Sequence, residues 1–285
     1  MLYLPIGTIQ TATVIRKIET GYVLKKETDE VLLHHNETEV ELKVDQDVNV
    51  FLYNDKNNQI VATTKIPNVL MDTYGWVEVV NVVPKLGVFV DIGIAKDILV
   101  SVDDLPIYTG VWPKIDDQLY VTLGKDQEER LLALPATEGI FMSMREIAPL
   151  DLLNASISGR VYYTSREGSA IFSEDGYRGF VHHTERESEP RLGETVSGRV
   201  IEVKDDGTVN VSLLPLKEER IDADGEAILE HLENNDGMIP FGDKSDAERI
   251  RAQFGFSKSA FKRALGRLMK QGKVEQRDGK TYLVK

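Results

Sequence analysis

Gly75-Trp76-Val77-Glu78-Val79-Val80, followed after a short interval by Gly87-Val88-Phe89-Val90-Asp91-Ile92, is the stretch that decides the fold. A glycine opens each run, β-branched and aromatic residues fill it, and the side chains alternate as in short strands. The arrangement also stands upstream, where Gly7 precedes Thr8-Ile9-Gln10-Thr11-Ala12-Thr13-Val14-Ile15 and Gly21-Tyr22-Val23-Leu24 follows. Downstream it is Gly159-Arg160-Val161-Tyr162-Tyr163, then Gly168-Ser169-Ala170-Ile171-Phe172. A pattern that recurs along the chain marks a repeated unit.

The second halves repeat as well. Asp47-Val48-Asn49-Val50-Phe51-Leu52 corresponds to Asp117-Gln118-Leu119-Tyr120-Val121-Thr122 and to Thr195-Val196-Ser197-Gly198-Arg199-Val200. Each run meets a polar turn, a last apolar strand and a closing proline, Pro67, Pro135 or Pro215. Five strands in roughly 70 residues is the size of an OB-type barrel, in which closure removes most exposed edges. The expected divisions are 1–66, 67–145 and 146–217, with a different domain over 218–285.

In that last stretch the apolar period changes from two to 3.6. Ala227, Ile228, Leu229 and Leu232 predict one helix, and Ser245 with Glu248 predicts a capping box for a second. Ser257 caps a third, with Phe261, Ala264, Leu265 and Leu268 on one face and Lys262, Arg263, Arg267 and Lys270 on the other. Met238-Ile239-Pro240-Phe241 reads as a short strand, and Asp278-Gly279 as a two-residue hairpin turn flanked by Arg277 and Lys280. Helix, strand, helix, helix and hairpin is the winged-helix order. The expected fold is therefore mainly β, three tandem five-stranded OB-type barrels followed by an α+β winged helix.

The net charge of −13 argues at first against a polyanionic partner. Its distribution does not. Residues 218–248 carry 2 basic against 11 acidic side chains, and residues 249–285 carry 11 against 2. Binding to a polyanion depends on local potential, so one basic face can act within an acidic chain. The absence of cysteine excludes disulfides, thiolate metal sites and cysteine nucleophiles, and fits a reducing cytoplasm. No apolar run approaches the roughly 20 residues of a membrane span, and no secretory pattern follows the N-terminus.

The repeated unit resembles the S-one RNA-binding domain, named after the ribosomal protein. The second repeat carries the likeness through Pro84-Lys85-Leu86-Gly87-Val88-Phe89-Val90-Asp91-Ile92 and Asp97-Ile98-Leu99-Val100, and the third through Gly179-Phe180-Val181-His182-His183. In the degenerate first repeat, Val31-Leu32-Leu33-His34-His35 keeps a histidine after strand three. The order of three such repeats and a winged helix resembles the conserved virulence factor B family of Gram-positive bacteria. That resemblance implies RNA binding and control of virulence-gene expression.

The outer face of strands two and three of such a barrel meets single-stranded nucleic acid by stacking bases on aromatic side chains. The candidate contacts are Tyr22 and His34 in the first repeat, Lys85 and Phe89 in the second, and Phe172, Tyr177, Arg178 and His182 in the third. Arg160 and Arg199 are candidate phosphate ligands. Leu86, Ser101 and Ala170 stand where the family often has aromatic or histidine residues, so no repeat has a full set. The His34-His35 and His182-His183 pairs are expected on opposite strand faces, which makes them poor joint metal ligands. Asp103-Asp104 and Asp116-Asp117 are expected as solvated charge in turns. No phosphate-binding loop, nucleophile elbow or zinc-protease signature is present. No catalytic residue, metal or cofactor is expected. The leading reading is a cytoplasmic, non-enzymatic binder of single-stranded RNA acting after transcription. Alternatives are a winged-helix regulator on duplex DNA and a ribosome-associated protein adaptor.

Overall fold

A computed structural model describes residues 5–215 and 217–284, which divide into two units, one ending at Leu213 and one beginning at Leu214. The first unit holds three closed five-stranded barrels. The first barrel is β1 (Ile9–Ile18), β2 (Gly21–Lys26), β3 (Asp29–His34), β4 (Asp47–Asn54) and β5 (Ile60–Thr63). The second is β6 (Gly75–Val83), β7 (Gly87–Asp91), β8 (Ile98–Ser101), β9 (Gln118–Lys125) and β10 (Leu131–Pro135). The third is β11 (Ser156–Thr164), β12 (Gly168–Ser173), β13 (Arg178–His182), β14 (Thr195–Val203) and β15 (Val209–Ser212). In each, strand one pairs with strands two and four, and strand three runs parallel to strand five.

The repeat extends to details of register. Strand one bulges between Val14 and Arg16, between Val79 and Asn81, and between Val161 and Tyr163. A bulge bends and twists the strand, which helps a short sheet to close. The glycines that open strand two lie opposite the last residue of strand three: Gly21 with His34, Gly87 with Ser101, Gly168 with His182. A Cβ at these glycines would lie 2.1, 2.0 and 2.2 Å from the carbonyl oxygens of Leu33, Val100 and Val181. No other residue fits that approach.

Alternation fills the barrels with small branched side chains: Val14, Leu24 and Leu33 in the first, Val79, Val88 and Val90 in the second, Val161, Ile171 and Val181 in the third. The barrels are not beads on a string. Ile6, Phe51, Tyr53 and Val61 of the first share one apolar cluster with the interior of the second. Lys96 donates from Nζ to the Asn54 carbonyl at 2.6 Å, and its burial there holds its pKa below the ordinary lysine value.

Between the second and third barrels lies a short helix, α1 (Glu138–Met144). It inserts Phe141, which stacks on Tyr162 at 3.8 Å between ring centres and meets Phe172, Tyr120 and Trp76 at 5.2–6.2 Å. Full burial of such a ring contributes about 1.5–3 kcal/mol. Asp117 accepts from Nε and Nη2 of Arg191 at 3.0 and 3.1 Å across the same junction. It is buried, so the expectation that Asp117 is solvated is corrected. Its partner lies 74 residues away, beyond any local pattern.

The second unit comprises α2 (Lys217–Glu233), β16 (Met238–Ile239), α3 (Ala247–Phe254), α4 (Lys258–Lys270), β17 (Val274–Arg277) and β18 (Lys280–Leu283). Its strands lie in the order β16, β18, β17. Ile228, Leu232, Ile239, Ile250, Phe261, Leu265 and Val274 form its core. Asp278 and Gly279 have φ of 49° and 72°, the left-handed pair of a type I′ hairpin. One expected cap is corrected: Asp246, not Ser245, begins α3, accepting from the N–H groups of Glu248 and Arg249. Ser245 instead accepts from Gly242 through its hydroxyl.

Candidate nucleic-acid interface

Outward positions on strands two and three follow from the register. Val23 faces Leu32, Phe89 faces Leu99, and Ala170 faces Phe180. These three cross-strand pairs are equivalent. In the second barrel the aromatic stands on strand two. Phe89 is half-buried between the fully buried Val88 and Val90, and Lys85 is exposed at the β6–β7 turn. In the third barrel the aromatic has crossed the ladder to Phe180 on strand three. Its ring lies over Gly168, where a Cβ would meet it at 2.7 Å.

Phe180 is the residue that selection by strand two missed. The signal was present as a swap, an alanine at the usual aromatic position and a phenylalanine directly opposite. Around it stand exposed His182 and Tyr163, the latter bonded in register to Ala170. The Arg178 guanidinium lies 5.7 Å from the Phe180 ring centre. Asn210 pairs with Phe180 on strand five, gives its Nδ2 hydrogen to Glu202, and leaves Oδ1 buried with no partner.

Two stacking candidates are corrected. Tyr22 is 2% exposed, and its hydroxyl accepts from the Leu42 N–H at 3.2 Å. It stands one residue after Gly21, as Val88 stands after Gly87, so it points into the barrel; the outward position is one further on. A shift of one residue reverses the face. Phe172 is on the outer side but 6% exposed, because Phe141 covers it. Arg178 is anchored rather than free, giving hydrogen bonds from Nε to Glu138 and to the Tyr162 hydroxyl at 3.1 Å each. Tyr162 in turn donates to Glu138 at 2.6 Å, and burial with that bond pushes its pKa well up.

The other sequence candidates are spread over several faces. Arg160 lies at the junction, 5.1 Å from the Trp76 ring centre and 3.7 Å from Glu174. Tyr177 packs half-buried against the third core, and Arg199 lies half-buried on β14 opposite Ser156 and Ser212. His34 is half-buried at the end of β3. The paired histidines correct another expectation. The strand ends at His182 and the chain turns, so the His182 and His183 rings lie 4.2 Å apart, not on opposite faces. Among the described residues there is still no cluster of three or more side chains able to hold a metal ion.

In the second unit, α4 buries Phe261, Ala264, Leu265 and Leu268 and exposes Lys262, Arg263 and Lys270, with Arg267 half-buried. Ser257 caps the helix, accepting from Ala260. Arg277 and Lys280 stand exposed beside the hairpin tip, Arg277 paired with Glu275 at 2.5 Å. A cationic helix surface and a protruding hairpin are the two elements with which a winged helix meets nucleic acid.

Three OB-type barrels, the second and third with an outward aromatic, joined to a winged helix with a basic helix face, define a multidomain protein built from nucleic-acid-binding domain types. The family comparisons agree. Residues 6–65 match the family described as S1 domain, 74–134 that described as CvfB first S1-like domain, and 141–215 that described as Virulence regulatory factor CvfB, second domain. Residues 226–283 match the CvfB-like winged helix domain. The chain belongs to the conserved virulence factor B family. It is 37% identical to Conserved virulence factor B of Staphylococcus aureus over 98% of this chain and 94% of that protein. It is 45% identical to the protein YitL of Bacillus subtilis over 97% of this chain and 93% of that one. A crystal structure of a multidomain protein with nucleic acid binding domains from Streptococcus pneumoniae aligns with a TM-score of 0.67 and 35% identity, over 98% of both chains. These domain families are nucleic-acid-binding types rather than known enzymes. No described helix is long and apolar enough to cross a membrane.

Proposed function

We propose that this chain binds single-stranded RNA in the cytoplasm and acts after transcription as a regulator of gene expression, virulence genes among its targets. The observation that carries the reading is the outward aromatic on the strand-two and strand-three face of both the second and third barrels, Phe89 and Phe180. Stacking is sequence-tolerant and needs unpaired bases, so such faces favour single strands over duplex. The α4 cations, and Lys85 on the second barrel, supply phosphate contacts. The name of the Staphylococcus aureus relative supports a role in virulence, and the family description Virulence regulatory factor CvfB supports a regulatory one.

The test is competition among a labelled single-stranded RNA, the same sequence as single-stranded DNA, and duplex DNA. RNA displacing both supports the reading. Phe89→Ala and Phe180→Ala should each weaken RNA binding about 5- to 150-fold, the equivalent of about 1–3 kcal/mol for one stacked base. A second reading, a regulator on duplex DNA, is favoured by the exposed α4 face and the hairpin, and tighter binding to duplex would establish it. Neither phenylalanine variant would then matter.

A further inference from the structure

The second barrel differs from the other two in the connection between strands three and four. That connection spans 35–46 in the first barrel and 183–194 in the third, but 102–117 in the second. The longer segment folds against the β6–β7 turn and encloses a cleft of about 680 Å³. Pro84, Trp112, Pro113 and Ile115 are among its walls, and Lys85 and Lys114 are its cations. No carboxylate lines it, although residues 67–145 carry 12 acidic side chains against 6 basic ones. Two of those six basic residues therefore stand at one apolar cleft, both exposed and neither in an ion pair among the described residues.

The rim is aromatic. The Tyr108 ring lies against Gly110, where a Cβ would meet it at 2.4 Å, and Tyr108 remains 67% exposed. Trp112 lines the cleft at 8% exposure, the rest of its ring packed in the second barrel's core, and has no free donor, since its Nε1 hydrogen goes to the Pro106 carbonyl at 2.7 Å. The wall is braced from the third barrel. The Leu192 N–H donates to the Val111 carbonyl, and Asp117, held by Arg191, accepts from the Lys114 N–H at 2.7 Å. The cleft is thus formed before any ligand arrives, which lowers the entropy lost on binding.

We propose that this cleft holds one unstacked base of a single-stranded nucleic acid, with the neighbouring phosphates on Lys85 and Lys114. Flat apolar walls, an exposed ring and unpaired cations match a base and its phosphates. With the Trp112 donor already used, the cleft holds a base by stacking and apolar contact and reads little of its sequence. Lys85 belongs both to this cleft and to the outer face that carries Phe89, so one strand passes from one to the other. The inference rests on the reading of the chain as a single-strand binder.

The test uses the full chain and a single-stranded RNA of about 10 nucleotides, within the range one OB fold covers, carrying 4-thiouridine at single positions. Light-induced crosslinks are mapped by mass spectrometry, and affinity is measured by fluorescence anisotropy. Crosslinks are expected within 106–115, and Ile115→Glu should weaken binding about 10-fold and abolish those crosslinks while sparing others. Ile115 is 58% exposed, so the variant should fold, and an unchanged melting temperature verifies it. If the wild-type chain binds RNA but Ile115→Glu leaves affinity unchanged, or no crosslink falls within 106–115, the cleft is not a base site while single-strand binding stands. If the wild-type chain binds no RNA, both readings fall.

Discussion

Replacing Lys262, Arg263 and Lys270 together by alanine removes three exposed charges from α4 and leaves the buried Phe261, Ala264, Leu265 and Leu268 untouched. Each phosphate neutralised on a single strand steepens the slope of log affinity against log salt by about 0.7. If all three cations hold phosphates, the variant should lose about 2 units of that slope. Between about 50 and 200 mM salt, wild-type affinity should then fall about 20-fold more than that of the variant. The assay is fluorescence anisotropy of a labelled single-stranded RNA across a potassium chloride series. Exposed substitutions of this kind change stability by about 0.5 kcal/mol or less, so matching melting curves will show that any loss is one of contact. Parallel lines of equal slope would refute a phosphate-holding role for α4, however much RNA the chain binds.

Two further predictions concern the fold itself. Gly87→Ala sets a Cβ 2.0 Å from the Val100 carbonyl oxygen and should destabilise the barrels by about 1–3 kcal/mol in thermal melts, whereas Gly266→Ala, exposed on α4 with nothing within 4 Å, should stabilise by about 0.5–1 kcal/mol. Equal melting temperatures would count against both. The Asp246 carboxylate accepts backbone hydrogen bonds, that of Arg249 foremost, which hold its pKa below the ordinary carboxylate value. A folded pKa below the unfolded one gives stability at neutral pH that is lost as pH falls through the folded value. The melting-temperature advantage of the wild type over Asp246→Asn should therefore shrink on acidification, and a constant difference would show that the charge adds nothing to the cap.

The barrels were legible because their constraints are local. A glycine forced by a 2 Å approach, a polar turn and a closing proline recur in the sequence, and the barrels recur in space with them. Site residues were harder, because facing depends on register. Tyr22 was misplaced by a single position, and Phe180 was overlooked because its cross-strand partner, not its own repeat position, reveals it. Phe172 failed for another reason. The helix that covers it has seven residues, too short for a 3.6-residue period to declare itself, and it folds because the junction packs it. Ser245 and Asp246 are both good capping residues side by side, so sequence alone could not choose between them.

The junction bears on how partial sites add. Two sites on a flexible linker share an effective concentration that changes smoothly with reach, whereas two sites on one rigid body accept only strands that span a fixed distance. The second and third barrels are joined by Phe141, stacked on Tyr162, and by the Asp117–Arg191 pair, so Phe89 and Phe180 sit on one packed unit. Affinity should therefore rise in a step once an RNA is long enough to reach both faces. Phe141→Ala leaves both faces intact but opens a cavity between the barrels, which should destabilise the unit by about 3–5 kcal/mol. Calorimetry should show that loss as a lower or split transition, and anisotropy across an oligonucleotide length series should show the step flattened into a gradual rise. A lowered melting temperature with the step unchanged would mean that the two faces act independently, and that rigidity at this junction serves stability alone.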